Sequence, residues 1–190
     1  MKENDVILKR QSTQIFFKNG DTDFFFNWLL GIGEIFGFSH GELYYLAQRL
    51  GNSPKPDDWK NVFLSHVNYL EQEASNSGLS EQTKAQYYLA QTYSLRSAIQ
   101  FTDPFSEEYL PTVRQMEKVF SSAIHSLGAP IEKLTIPYQG SYLPGYYLHS
   151  DDNCPTLIMI GGGDTYREDL FYFAGYPGWI RNYNVLMVDL

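Results

Sequence analysis

A chain of 190 residues with 43% apolar, 19% charged and 16% aromatic side chains has the makeup of one folded domain or two small ones, and excludes intrinsic disorder. Twenty-two acidic against fourteen basic residues leave a net charge of −8, a field that repels phosphate backbones and argues against nucleic-acid binding. The lone Cys154 excludes an intrachain disulfide framework and any Cys-x-x-Cys metal pair, which fits a reducing, cytoplasmic setting.

Met1 to Arg10 mixes charges of both signs and lacks the apolar centre of a secretory signal. No run in the chain approaches a membrane span. From Asp21 to about Gly37, Phe24, Phe25, Trp28, Leu29, Ile32, Ile35 and Phe36 recur every three or four residues and predict a helix. Ser39 followed by Glu42 is a capping-box pair, and the stripe Leu43, Tyr44, Leu46, Ala47 and Leu50 predicts a second helix closed by Gly51. A third is expected from Asp57, Asp58 and Trp59 to before Gly78, with Val62, Phe63, His66, Val67 and Leu70 on one face. Ser80 and Thr83 open a fourth, in which Ala85, Tyr88, Leu89, Thr92, Leu95, Arg96 and Ile99 share a side, ending near Asp103-Pro104. The fifth is expected from Ser106, with Glu107 and Glu108 in its first turn, to Gly128.

After Ala129-Pro130 the period changes to two. Leu134, Ile136 and Tyr138 alternate with polar neighbours, Gln139-Gly140-Ser141 reads as a turn, and Tyr142 to Leu148 as a return strand. Thr156 to Ile160 and Val185 to Val188 are short continuous apolar runs, the signature of parallel strands buried on both faces. Between them, Arg167 to Tyr183 has room for a crossover helix that Gly175, Pro177 and Gly178 are expected to interrupt. The fold class is therefore α/β: five helices to about residue 129, then a hairpin and one βαβ unit over 130–190.

The segment most suited to chemistry is Gly161-Gly162-Gly163-Asp164-Thr165, between a strand and a helix, where unobstructed backbone N–H groups suit an anion. A nucleotide-phosphate loop and an oxyanion hole both use such a turn. The first lacks its P-loop lysine and its Gly-x-Gly-x-x-Gly spacing, and a plain tight turn accounts for the glycines as well. The same segment resembles the strand-three loop of α/β-hydrolases of the 2,6-dihydroxypseudooxynicotine hydrolase, fermentation-respiration-switch esterase and acylaminoacyl-peptidase-like group. The resemblance extends upstream through Ile131 to Gly140 and Leu143 to Tyr147, and to Gly41-Glu42, Trp59 and Tyr88 to Arg96 in the helices, where Ala90 and Ser94 depart from it.

The resemblance implies a helical accessory domain over 1–129 and the N-terminal portion of a hydrolase domain over 130–190. It implies a serine hydrolase without cofactor or metal, acting on a small-molecule ester, amide or ketone, with room for a homodimer. The oxyanion donors would be the main-chain N–H groups of Gly163 and Asp164, supported by Thr165 and Glu168. The nucleophile, acid and histidine are not expected within these residues, so the chain alone is expected to be inactive. A non-catalytic helical interaction module is the alternative from another class.

Gly37-Phe38-Ser39-His40-Gly41 matches the nucleophile-elbow string, but it lacks the preceding strand that an elbow requires, and Glu42 explains Ser39 as a helix cap. His66 reads as a core histidine, and no His-Glu-x-x-His spacing occurs. Asp189, after the last strand, is a functional lead or a loop cap.

Overall fold

The computed structural model describes residues 14–36 and 38–189, with the backbone alone over 33–36. Five helices come first: α1 (Gly20–Phe36), α2 (His40–Leu50), α3 (Pro56–Ala74), α4 (Glu81–Ile99) and α5 (Tyr109–Leu127). The starts of α1, α2 and α4 are capped by side chains, since the first turn of a helix has N–H groups without partners. The Asn19 carboxamide accepts from the N–H groups of Asp21 and Thr22 at 3.0 Å each. Ser39 and Glu42 form the predicted capping box, Ser39 Oγ accepting from Glu42 N at 3.1 Å and Ser39 N donating to Glu42 Oε2 at 2.9 Å. Ser80 Oγ caps α4 through Thr83 N at 3.1 Å.

Helix α4 is the centre of the helical layer and packs most extensively against α3 and α5. It was expected to bury one stripe, yet every residue from Leu89 to Ile99 is buried. The cause is that its neighbours close on all sides, including the crossover segment, whose Tyr172 hydroxyl donates to Leu89 O at 2.9 Å. Two boundaries also differ from expectation. Helix α4 ends at Ile99, and α5 begins at Tyr109 instead of Ser106. Asp103 explains the gap, because its carboxylate accepts from Phe105 N at 3.0 Å and its carbonyl from Ser106 N at 3.0 Å, which builds a separate turn. Glu107 and Glu108 therefore precede the helix.

Four strands follow: β1 (Ile131–Tyr138), β2 (Ser141–Leu148), β3 (Thr156–Ile160) and β4 (Asn184–Val188). They form one mixed sheet in the order β1-β2-β4-β3, antiparallel except for the parallel pair β3 and β4. Strand β4 is buried as predicted, but β3 departs from expectation, with Ile158 and Ile160 60% and 57% exposed. It pairs only with β4 among the described residues, so its apolar run has cover on too few sides to be interior.

The crossover helix is interrupted as expected, but by a π-turn and not by a gap: α6 (Arg167–Leu170), the π-turn (Phe171–Gly175) and α7 (Tyr176–Trp179) are contiguous and end before Tyr183. Gly175 and Gly178 are needed for packing. A Cβ at Gly175 would stand 2.7 Å from Met187 Sδ, and one at Gly178 2.9 Å from Val185 Cγ2, so these glycines let the helix lie close on β4. One apolar core runs from the helices into the sheet, joining Phe26, Trp59, Phe120, Tyr146, Phe171 and Met187. No described helix is long and apolar enough to cross a membrane.

Candidate active site

Parallel strands β3 and β4 end at the same edge of the sheet, and the glycine loop after Ile160 and Asp189 after Val188 both project there. The carboxyl edge of parallel strands is where open α/β sheets bind ligands. The loop is held by its own bonds. Gly162 N–H donates to Thr165 Oγ1 and Thr165 N–H to Gly162 O, each at 3.1 Å, while Tyr166 N–H donates to Asp169 Oδ2 at 3.0 Å. Thr165 folds back so closely that a Cβ at Gly161 would lie 2.6 Å from its Cβ. With those donors taken, the N–H groups of Gly163 and Asp164 form no hydrogen bond with any described residue, and both residues are exposed.

Beneath the loop, Arg96 of α4 is buried and divides its guanidinium among three hydrogen-bond acceptors and the rings of Tyr166, Phe25 and Trp28. Its Nε donates to Asp169 Oδ2 at 2.9 Å, Nη2 to the Asp164 carbonyl at 2.8 Å and Nη1 to Gln100 Oε1 at 2.7 Å, and the group lies 4.9 Å from the Tyr166 ring centre. Burial works against its charge, but Asp169 outweighs that and holds the guanidinium firmly protonated. Asp164 O, taken by Arg96, fixes the peptide plane that carries Thr165 N–H, and Gly162 O, taken by Thr165 N–H, fixes the plane that carries Gly163 N–H. The Tyr109 and Tyr166 hydroxyls bond to each other at the rim. Tyr93, buried beside Asp169, has its phenol pushed well up by burial and then by the carboxylate charge.

Two clefts flank the loop. One, of about 560 Å³, is walled by Phe24, Phe25, Trp28 and Phe173, with Arg96 and Thr165 at its inner end. The other, of about 490 Å³, is bordered by Gly163, Asp164, Tyr109, Tyr166 and Asp189. An aromatic-walled cleft and a more polar one thus share Asp164 and Thr165 of the loop.

Behind the loop lies a charged layer. Glu168 is buried and accepts from Tyr146 Oη at 2.7 Å, with Arg167 Nε 3.5 Å away. Burial pushes its carboxyl up to about 7, against the Tyr146 hydrogen bond and the Arg167 charge, which pull it down. Arg167 also pairs with Glu117 of α5 and lies over the Tyr146 ring at 4.5 Å. Asp189 Oδ2 is 3.9 Å from Arg167 Nε, and burial raises its carboxyl to about 6 while Arg167 opposes the rise.

The residues singled out in the sequence thus occupy different places. Gly163, Asp164 and Thr165 are together at the junction of the clefts, while Glu168 lies behind the loop and borders neither. Ser39 is a helix cap bordering a separate cleft between α2 and α3. Sequence reasoning missed Arg96, Tyr109, Tyr166 and Asp169 as parts of the site. A cation inside the apolar stripe of α4 was the one available signal for Arg96. Among the described residues, no group of three His, Cys, Asp or Glu could hold a metal ion.

No protein-family model matches the chain. It is 26% identical to Hydrolyase poxO of Penicillium oxalicum over 184 residues, covering 92% of this chain and 44% of that protein. It is 25% identical to Hydrolyase ccsE of Aspergillus clavatus over 172 residues, covering 80% and 39% respectively. The chain therefore spans less than half the length of these curated relatives. Among solved structures, that of the 2,6-dihydroxy-pseudo-oxynicotine hydrolase superposes with a TM-score of 0.64 at 18% identity, covering 86% of this chain and 45% of that one. Wild-type AbyA5 superposes with a TM-score of 0.62 at 16% identity, covering 90% and 45%. The α/β fold of the chain, helices first and mixed sheet after, is shared with these proteins.

Proposed function

We propose that these residues form the N-terminal part of a serine-type hydrolase: a helical accessory domain over 1–129 and the opening strands of the hydrolase sheet over 130–190. The substrate is a small-molecule ester, amide or ketone. The nucleophile, its histidine and the acid come from chain outside these residues, and the present chain contributes the oxyanion site. The observation that carries this reading is the pair of N–H groups at Gly163 and Asp164 that no described residue accepts from, on a loop whose Gly162 and Thr165 N–H groups are spent within it and whose Asp164 carbonyl is taken by Arg96. Further relatives named hydrolases, such as Hydrolase phmG of Phaeosphaeria nodorum, support hydrolysis as the reaction class.

In this mechanism a serine oxygen attacks the substrate carbonyl carbon as the histidine takes the serine proton. Negative charge then collects on the carbonyl oxygen. Amides already pointing at that position need no reorganisation as the charge develops, which is why they lower the barrier. The apolar cleft of Phe24, Trp28 and Phe173 would hold the substrate body, and the cleft toward Asp189 the reacting end.

The test is Gly163→Pro in the full-length protein, which deletes one N–H. Turnover is expected to fall by about 100-fold or more with the thermal transition retained, and a fluorophosphonate probe should label a serine other than Ser39. Unchanged turnover in folded Gly163→Pro, or stoichiometric labelling at Ser39, overturns the reading.

A further inference from the structure

The cleft between α2 and α3, of about 580 Å³, is bordered by Glu42, Tyr45, Leu46, Arg49, His66 and Tyr69 among others, and takes no part in the proposed chemistry. Its inner end holds an unmet hydrogen-bonding demand. Ser94 Oγ donates its one hydrogen to Ala90 O at 2.9 Å, so it can only accept from His66 Nδ1, also at 2.9 Å. In the neutral ring the proton therefore sits on Nδ1, and Nε2 presents a lone pair. That Nε2 belongs to a ring only 6% exposed and has no hydrogen-bond partner among the described residues. Glu42 Oε1 stands 3.9 Å from it, beyond hydrogen-bond reach of a neutral ring, whereas a protonated ring would pair with that carboxylate and hold it below its usual value; Oε2 is engaged by Ser39. Two acceptors face one another across a gap that one donor atom, about 2.8 Å from each, would bridge.

We propose that this cleft is a second ligand site, which takes a small molecule with an ammonium group at one end and a carboxylate at the other. The ammonium is the donor that satisfies both His66 Nε2 and Glu42 Oε1. Arg49 lies seven residues, or about 10 Å of helix, beyond Glu42 on the same face of α2, and its guanidinium folds over the Tyr45 ring with 6.0 Å to the centre. A simple amine would meet that cation unfavourably; a carboxylate at its far end turns the contact into an attraction. Between the charged ends, buried Leu46 forms an apolar floor, and Tyr45 and Tyr69, 60% and 49% exposed, form the walls. An unbranched methylene chain suits that trough, so the class is an ω-amino acid.

The site stands independently of the hydrolase reading, and its test does not use hydrolysis. Titration calorimetry on the full-length protein compares 6-aminohexanoate with hexylamine and hexanoate, which carry one end group each. The expected result is that 6-aminohexanoate binds at least about tenfold more tightly than either. Arg49→Ala should reduce its affinity to that of hexylamine, and Glu42→Gln, which can keep the cap on Ser39, to that of hexanoate. Absence of heat at millimolar 6-aminohexanoate, equal affinity for the three probes, or binding that neither substitution weakens would each overturn the proposal.

Discussion

Asp23 in the helical layer and Glu168 behind the glycine loop are both buried carboxylates, and folding has treated them in opposite ways. At Asp23, burial works to raise the carboxyl, but the N–H groups of Phe17, Phe16 and Ile15 and the Asn27 amide outweigh it and hold the group below its usual value. Glu168 has one phenol and a loosely placed arginine in compensation, and it is raised to about 7. Around Asp23 the helical layer spends its polar groups on satisfied caps and clamps, although His66 Nε2 elsewhere in that layer lacks a partner among the described residues. The crossover side, next to the exposed amides, keeps charge under stress, the pattern associated with working sites.

Arg96 joins the two regions, and removing it should have the largest effect. Arg96→Met leaves the Asp169 carboxyl buried without its partner, so denaturant unfolding should show a loss of about 3–5 kcal/mol. Asp169→Leu added to that variant should restore part of it; a cost below about 1 kcal/mol would mean that water reaches the pair and that the regions are not coupled there. Next comes Glu168. Its folded value of about 7 exceeds its ordinary 4.5, so the native state holds the extra proton between those limits, and stability falls as pH rises through that window by about 3 kcal/mol in all. Asp189, raised to about 6 from 3.8, adds a slope of the same sign at lower pH. Glu168→Gln should flatten the part between pH 4.5 and 7 and leave the protein more stable at neutral pH. An unchanged slope would show that Glu168 is not the stressed group.

Asp23 gives the opposite sign. Its stabilisation is present above the ordinary carboxylate range and is lost as pH falls through the lowered folded value. Asp23→Ala, which strands three N–H groups, should cost about 2 kcal/mol at neutral pH and remove that acid-side loss, as thermal melts at two pH values would read. The smallest effect is expected at Ser39. Ser39→Ala should cost about 1 kcal/mol, the worth of a helix cap, and leave hydrolysis untouched in a full-length assay.

Five helices and the hairpin were legible because each has a period, the βαβ unit because two continuous apolar runs flank a segment long enough to cross over, and the helices because Ser39, Ser80 and Gly128 punctuate them as caps. The glycine loop was legible from three consecutive glycines at the end of an apolar run. What sat around it was not. Arg96 meets Asp169 across 73 positions of chain, and no local pattern encodes such a pair. The all-round burial of α4 was hidden for a related reason. Gln91, Ser94 and Ser97 look like a solvated face, yet Ser94 and Ser97 return their hydroxyls to the carbonyl four residues back, which lets them be buried cheaply. Strand β3 misled in the other direction, since a continuous apolar run reports what a strand can bury and not what covers it.

The attachment of α4 to the loop limits how this architecture can be recombined. A chimera that took the helices from one relative and the sheet from another would inherit the cation from one parent and its carboxylate and carbonyl partners from the other. Where the parents differ at the positions of Arg96, Asp169 or Tyr166, the seam would fail even if both halves folded. The helices and the loop therefore travel as one heritable unit, and a crossover point placed between α5 and β1 would cut through it.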